Sequence, residues 1–420
     1  MKSNILGDDV LNKVNDLKKT DILVGIPSFN NAATVGHVVR AVQAGLSKYF
    51  PDRRAVIVNS DGGSTDRTVE TVQDAAIEDF ESILVTHRKE PVLKIITPYN
   101  GIPGKGSAFR TIFSIAELLD ARACIVVDSD LRSITPEWVE LLAKPVLNGD
   151  FDFVAPLYLR HKYDGTITNS IVYPLTRALY GKQVRQPIGG DFGFSGELAS
   201  FYLAKDVWDT DVARYGIDIW MTTTAIANDF RICQSFLGAK IHDAKDPGAD
   251  LSAMLYQVVG AAFDLMEDYP GIWKTVTGSK AVPTFGFKYA VGLEPVAVNI
   301  QRMIERFRLG VRELIEIWKK FLPGDVVGYL SWVAELPDAE FSFSDEAWAG
   351  IIYSFALAAH IKAINREHLL RALTPLYIGR TASFVKETAE SDAQQVEEKI
   401  EGLCRLFEGK KHFLCENWQT

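Results

Sequence analysis

The sequence predicts an α/β fold, a mostly parallel Rossmann-like sheet covered by helices and followed by a mainly α-helical C-terminal region. Three observations carry this. Short apolar strands alternate with amphipathic helical stretches over the first half of the chain. Polar, Gly- and Asp-rich loops recur after those strands, at the edge where parallel sheets bind ligands. From about Ala249 onward the pattern turns to long helical stretches. The expected division is therefore a sheet-containing catalytic domain over 1–248 and a helical region over 249–420.

Taken in order, Ile22–Ile26 is a buried strand that runs into Pro27. The helical spacing of Val35, Val38, Val39, Val42 and Leu46 makes Ala33–Tyr49 a helix. Ala55–Val58 is a second strand, followed by the turn Asn59–Asp66 and a helix from about Arg67. Leu93–Ile96 is a third strand, after which Gly104-Lys-Gly106 opens a helix. Ala123–Val127 is a fourth strand with Asp128-Ser-Asp130 at its end, and Leu237–Ile241 reads as a final one. Leu251–Glu267, Pro295–Phe321, Asp345–Asn365 and Ala393–Phe407 read as helices.

Composition narrows the function. The chain has 420 residues, 45 basic and 54 acidic, for a formal net charge of −9. That balance argues against nucleic acid as the main partner. The four cysteines, Cys124, Cys233, Cys404 and Cys415, have neither CxxC nor zinc-finger spacing and read as small apolar residues. The polar stretch Met1–Asp21 does not read as a secretory signal, and no apolar run is long enough for a membrane span. A cytoplasmic protein is the resulting expectation, and the helical region leaves room for a homodimer or higher homo-oligomer.

The loops carry the chemistry. In Asp128-Ser-Asp130, two carboxylates one residue apart at a strand end can hold a hard divalent cation, which would bridge the phosphates of a nucleotide sugar. Asp130 could instead cap a turn. Asp61-Gly-Gly-Ser-Thr-Asp66 can turn tightly; Ser64, Thr65 or Asp66 could cap the next helix, and Asp61 could meet a base or ribose. Lys105 lies between glycines at a helix N-terminus, where backbone N–H groups and an ammonium suit an anion. Gly189-Gly-Asp191 is either a plain turn or a close approach to a sugar ring. Asp218 either N-caps an apolar helix over Ile219–Ile226 or holds sugar hydroxyls or an acceptor. His242, before the turn-rich Asp243–Asp250, is a surface histidine or a metal ligand; the other six histidines, including His37, His87 and His360, have no comparable context.

Together these loops resemble the GT-A glycosyltransferases, specifically the retaining mannosylglycerate synthase and glucosyl-3-phosphoglycerate synthase group. Pro27-Ser-Phe-Asn30 and Asp61–Asp66 look like the generic nucleotide-binding opening. More specific are Pro103-Gly-Lys-Gly106, Asp128-Ser-Asp130, Gln186-Pro-Ile-Gly-Gly190, Tyr215-Gly-Ile-Asp218 and His242, in that order. Phe341-Ser-Phe-Ser-Asp-Glu-Ala-Trp348 extends the likeness into the helical region. The resemblance implies a GT-A fold and a divalent metal, Mg²⁺ or Mn²⁺, on Asp130 and His242, with Asp128 on ribose or metal. It implies a donor site of Pro27, Phe29, Asn30, Asp61, Lys105, Asp128, Ser129, Gly189 and Gly190. Asp218 and Lys105 would be the catalytic residues. Arg160, Asp164, Gly165, Thr166, Ile167 and Thr168 occupy the acceptor-binding position. The sequence departs from many GT-A enzymes at Asn30-Asn31, where an acidic residue is usual.

The implied reaction moves glucose or mannose from a GDP- or UDP-hexose to D-glycerate or 3-phosphoglycerate with retention of configuration. Thr166 stands where the 3-phosphoglycerate enzymes carry a phosphate-binding Arg, which favours D-glycerate, although Lys162 and His161 could restore a phosphate site. A sugar-phosphate nucleotidylyltransferase would need an N-terminal GxGxRL-type loop, which this sequence lacks. A non-catalytic binding protein on the same fold would have no need of Asp128-Ser-Asp130, Lys105 and His242 together.

Overall fold

The computed structural model describes residues 5–75, 92–99, 101–242, 251–288, 293 and 296–418. The chain forms two compact units, one of residues 1–159, 184–243 and 282–293, the other of residues 160–183, 244–281 and 294–420. This division is interleaved along the chain, unlike a single boundary after residue 248. His87 and the turn-rich Asp243–Asp250 lie outside the described residues.

The strands in chain order are β1 (Ile22–Ser28), β2 (Ala55–Asp61), β3 (Val92–Pro98), β4 (Ala123–Val126), β5 (Phe153–Leu159), β6 (Lys182–Gln183), β7 (Phe192–Ser195), β8 (Ile232–Ala239), β9 (Lys280–Ala281) and β10 (Thr284–Phe285). In the first unit, the order β10-β8-β5-β7-β4-β1-β2-β3 makes one sheet. Only β7 runs against its neighbours β4 and β5; the remaining pairings are parallel. The carboxyl ends of the parallel strands and the amino end of β7 therefore share one rim.

The strands expected at Ile22, Ala55, Leu93 and Ala123 are present, and the final one lies earlier than expected, so Lys240 and Ile241 follow β8. Three strands of this eight-stranded sheet were not read from sequence. β5 carries Pro156, which usually marks a strand edge or break. β7 is four residues with a glycine inside. β10 is two residues within the stretch expected to be helical, and it adds an edge strand beside β8. The helices Val35–Tyr49 and Pro136–Leu147 cover one face, where Val38, Val42, Trp138 and Leu142 pack with Ile22, Val24, Ile57 and Ile125. Lys105–Leu118 packs Ile112 so tightly over β1 that a Cβ at Gly25 would sit 2.6 Å from its side chain.

The second unit is mainly helical. Ser252–Asp268, Ile300–Trp318, Asp345–His360 and Ala393–Asn417 match the expected stretches, the last running on past Phe407. Residue 295, where the second stretch was expected to start, is outside the described residues. Ser344 caps Asp345–His360 through the Ala347 N–H, and Asp392 with Gln395 forms a capping box on the final helix. Arg366–Glu387 is buried on most sides. Among the described residues, no helix is long and apolar enough to cross a membrane.

Candidate active site

The rim of the first unit gathers charge. The Lys105 ammonium, at the first position of its helix, lies 2.8 Å from Asp128 Oδ1 and 3.2 Å from Asp218 Oδ2. Burial works against this ammonium, but Asp128 and Asp218 outweigh it and raise its pKa. Gly104 and Gly106 have a different use from the one expected. A Cβ at Gly104 would lie 2.5 Å from Ala213 O, and one at Gly106 1.8 Å from Val212 O. The Gly104 N–H already donates to Tyr99 Oη and the Gly106 N–H to Arg214 O. The glycines admit the 211–214 backbone, which leaves the Lys105 side chain as the anion-seeking group here.

Asp218 lies in the first turn of Ile217–Ala227 and does not cap it; Gly216 holds that position. Burial raises the Asp218 pKa, Lys105 opposes the rise and Asp128 adds to it. Its Oδ1 is buried and has no hydrogen-bond partner, a cost unless a ligand donates to it.

The two carboxylates of Asp128-Ser-Asp130 differ sharply. Burial would raise the Asp128 pKa, but Lys105 and Lys240 hold it well below the usual carboxylate range. Lys240 Nζ lies 2.7 Å from Asp128 Oδ2. Asp130 is pushed up by burial and then by the Asp128 charge, with Lys240 and His242 pulling the other way. His242 reaches this place because the Arg132 N–H donates to Ile241 O at 2.9 Å and the Ile241 N–H to Ser133 Oγ at 2.9 Å. A half-buried carboxylate crowded by negative charge and within electrostatic reach of an imidazole suits a hard-to-borderline divalent cation. Among the described residues, no three His, Cys, Asp or Glu side chains cluster as a metal cage. Protein ligation at Asp130 and His242 would leave the remaining coordination to water and substrate oxygens.

The sequence reading named Asp191 only as part of a turn and missed Lys240 and Tyr158. Asp191 is fully buried. It accepts from the Asp128 N–H at 2.8 Å, from Lys240 at 2.8 Å and from Tyr158 Oη. The signal available was periodicity: Lys240 and His242 are two apart just past a strand, and so were candidates for one face. Gly189 and Gly190 are close-approach positions. A Cβ at Gly189 would lie 2.2 Å from Pro156 Cγ, and one at Gly190, whose φ is +90°, would lie 2.3 Å from Asp128 Oδ2.

The remaining donor candidates build the rim. Pro27 is buried in β1 beside Ser60. Asp61 is occupied: it accepts from Ser28 Oγ, the Gly63 and Ser64 N–H groups and Ser64 Oγ. Asn30, at φ 54°, accepts from the Thr65 N–H, and Ser129 Oγ donates to Asn31. Phe29 is 60% exposed, a free aromatic face at the end of β1. Asp66 accepts from the Thr68 N–H and hydroxyl at the start of the next helix.

The acceptor candidates belong to the second unit. Arg160 Nη1 is 3.7 Å from Asp164 Oδ2, and Gly165, at φ +71°, turns the chain. Ile167 and Thr168 are buried, and Thr168 opens a π-helical turn over Thr168–Val172, a form common at functional sites. Two expectations change. The Thr166 hydroxyl is buried against Tyr377 Oη at 2.5 Å. Lys162 donates to the carbonyls of Thr388, Ala389 and Ser391 at 2.6, 2.8 and 3.1 Å. Those three bonds use an ammonium's three donors, so Lys162 is a helix-end brace and no substitute for a phosphate-binding Arg. The His161 pKa is lowered by burial and then by the Lys162 charge, with Asp164 opposing.

Residues 23–207 match the model of Glycosyl transferase family 2. This part of the chain is a glycosyl transferase family 2 domain. It contains Lys105, Asp128, Asp130 and the Gly189–Gly190 turn, whereas Asp218, Lys240 and His242 lie beyond it. Similar solved structures include glucosyl-3-phosphoglycerate synthase from Mycobacterium tuberculosis with Mg²⁺ and uridine diphosphate, at 22% identity and a TM-score of 0.44, covering 60% of this chain and 83% of that one. The same enzyme with Mn²⁺, uridine-diphosphate-glucose and phosphoglyceric acid aligns at 21% identity and a TM-score of 0.44, covering 61% and 83%. A comparison with curated proteins finds no match.

Proposed function

We propose that this glycosyltransferase moves a hexose from a nucleotide diphosphate sugar to D-glycerate, with retention and with a divalent cation. The observation that carries the reading is the meeting of Lys105, Asp128, Asp130, Asp218 and His242 on the rim of the glycosyl transferase family 2 domain.

Asp130 and His242 would hold Mg²⁺ or Mn²⁺, which supplies charge neutralisation for the departing diphosphate. Lys105 adds a buried positive charge directed at the same leaving group, where it acts more strongly than in water. Gly189 and Gly190 flank the donor sugar, and the unpartnered Asp218 Oδ1 accepts from its hydroxyls near the reacting carbon. Asp218 already carries Lys105 on its other oxygen, which weakens it as a nucleophile. Retention then follows a front-face course in which the leaving phosphate takes the acceptor proton. Phe29 offers a stacking face to the base, whose identity is left to experiment.

Arg160 is assigned to the acceptor carboxylate, with Asp164, Thr168 and the backbone around Gly165 for its hydroxyls. The commitment of Lys162 to helix carbonyls removes one candidate phosphate partner, and the lowered pKa of His161 weakens the other. This supports D-glycerate over its 3-phosphate.

The test is a matrix of UDP- and GDP-linked glucose and mannose against D-glycerate and D-3-phosphoglycerate, with Mg²⁺ or Mn²⁺ present. The expected result is transfer to D-glycerate with a higher kcat/KM and an α-linked product by NMR. Preference for the phosphorylated acid would overturn the acceptor assignment, and absence of transfer to either would overturn the function.

A further inference from the structure

Lys240 is the most enclosed cation of the rim, with a side chain only 4% exposed. An ammonium has three N–H donors. Here they reach Asp128 Oδ2 at 2.7 Å, Asp191 Oδ2 at 2.8 Å and Gly189 O at 2.8 Å. Three chain segments are tied at one atom: the loop after β4, the turn before β7 and the residue after β8. Lys105 takes the other oxygen of Asp128 at 2.8 Å, so each oxygen of that carboxylate meets an ammonium. Asp130, two residues on, has no ion pair among the described residues and feels the charge of His242.

A divalent ion placed on Asp128 would meet two ammoniums at contact distance. Repulsion between close like charges in a partly dry site costs several kcal/mol, more than one shared carboxylate returns. With all three donors spent, Lys240 also has none left for substrate.

We infer that Lys240 is a built-in cation standing in for a second metal ion. It neutralises Asp128 and Asp191, limits the rim to one divalent ion at Asp130 and His242, and acts as a positioning residue for the Gly189–Gly190 turn. The inference rests on the metal-dependent reading above.

The experiment is a Mn²⁺ titration followed by the EPR signal of the free ion, on full-length wild type, Lys240→Gln and Lys240→Arg. Wild type and Lys240→Arg are expected to bind one Mn²⁺ per chain. Lys240→Gln is expected to bind a second Mn²⁺, or to bind the first roughly 10-fold more tightly, because Asp128 and Asp191 lose their counter-charge. Its kcat should nevertheless fall by about 10- to 100-fold, since added ion does not restore the turn. A purely packing role would lower kcat without raising ion binding. One Mn²⁺ with wild-type affinity in Lys240→Gln overturns the inference alone. Wild type that binds no Mn²⁺ overturns the metal-dependent reading and this inference with it. Should Lys240→Gln fail to fold, two variants that retain Lys240 decide. Mn²⁺ binding lost in Asp130→Asn and kept in Asp128→Asn supports the inference, and the reverse overturns it.

Discussion

The two units each bury a network of charges, and the networks differ in whether they close. In the helical unit, Arg380 pairs with Asp345 and with Glu387, and Lys399 lies 3.6 Å from Asp345 and 2.5 Å from Glu387. Two cations meet two carboxylates. Burial would raise Glu387, but Arg380 and Lys399 outweigh it and lower its pKa. On the sheet rim, Lys105 and Lys240 meet Asp128, Asp191 and Asp218, and Asp130 stands beside them without an ion pair among the described residues. Asp130 and Asp218 are left with raised pKa values; Asp218 Oδ1 has no partner among the described residues, as has Arg380 Nε in the helical network, so the contrast lies in the balance of charge. A closed network holds a fold together. An open one bears a desolvation cost that a bound cation and substrate can relieve, which supports the proposal of the rim as the working site.

The largest effect expected from this contrast is at the proposed metal ligands. Asp130→Asn and His242→Ala should each lower kcat/KM by about 10³-fold, roughly 4 kcal/mol of transition-state stabilisation. The melting temperature should hold or rise, because a crowded carboxylate or a rim imidazole is removed. Excess chelator should do the same to wild type, and full turnover in chelator would break the comparison. Arg380→Met should act in the opposite way. It leaves Asp345 and Glu387 to share Lys399 alone and should cost about 3 kcal/mol in urea unfolding, in the range known for broken buried pairs. An active-site loss without destabilisation in that variant would show that the closed network also serves catalysis.

Lys105→Ala sharpens the difference inside the rim. Turnover should fall about 100-fold with a smaller change in donor KM, since its charge is worth most to the leaving diphosphate. A change confined to KM would make Lys105 a ground-state anchor.

The smallest expected effect is in pH dependence, and its sign differs between the networks. Glu387 has a folded pKa below 4.5, so its contribution is present above that value and lost as pH falls through the folded pKa. Asp218 has a folded pKa above 3.8, so its contribution is present below that value and lost as pH rises through the folded pKa. Urea midpoints measured from pH 3 to 7 should therefore fall less steeply on the acid side in Glu387→Gln. In Asp218→Asn the midpoint should gain at neutral pH relative to wild type. Equal acid slopes in wild type and Glu387→Gln would remove the distinction for the helical network.

The acceptor segment shows where reading by position fails. Thr166, Lys162 and His161 were judged by their place in the chain, whereas Tyr377 and the end of Arg366–Glu387, more than 200 residues away, fix what the first two do. For that reason an Arg at position 166 is a poor probe of acceptor choice: it would displace Tyr377 before meeting any phosphate.

The sequence by itself determined the α/β class, the strands β1 to β4 and β8, four of the long helices and the segments carrying Lys105, Asp128, Asp130, Asp218 and His242. Those features rest on local periodicity and on the rule that parallel strands present their carboxyl ends together. Tertiary structure alone decided what each charge does. Lys240 meets Asp191 and Asp128 across 49 and 112 residues of chain, through strands that are neighbours only once β7 has inserted against the parallel run. A lysine after a strand has the local pattern of a solvated surface residue. Only its burial against two carboxylates and a carbonyl makes it a fixed cation, and burial of that kind is a property of the packed sheet.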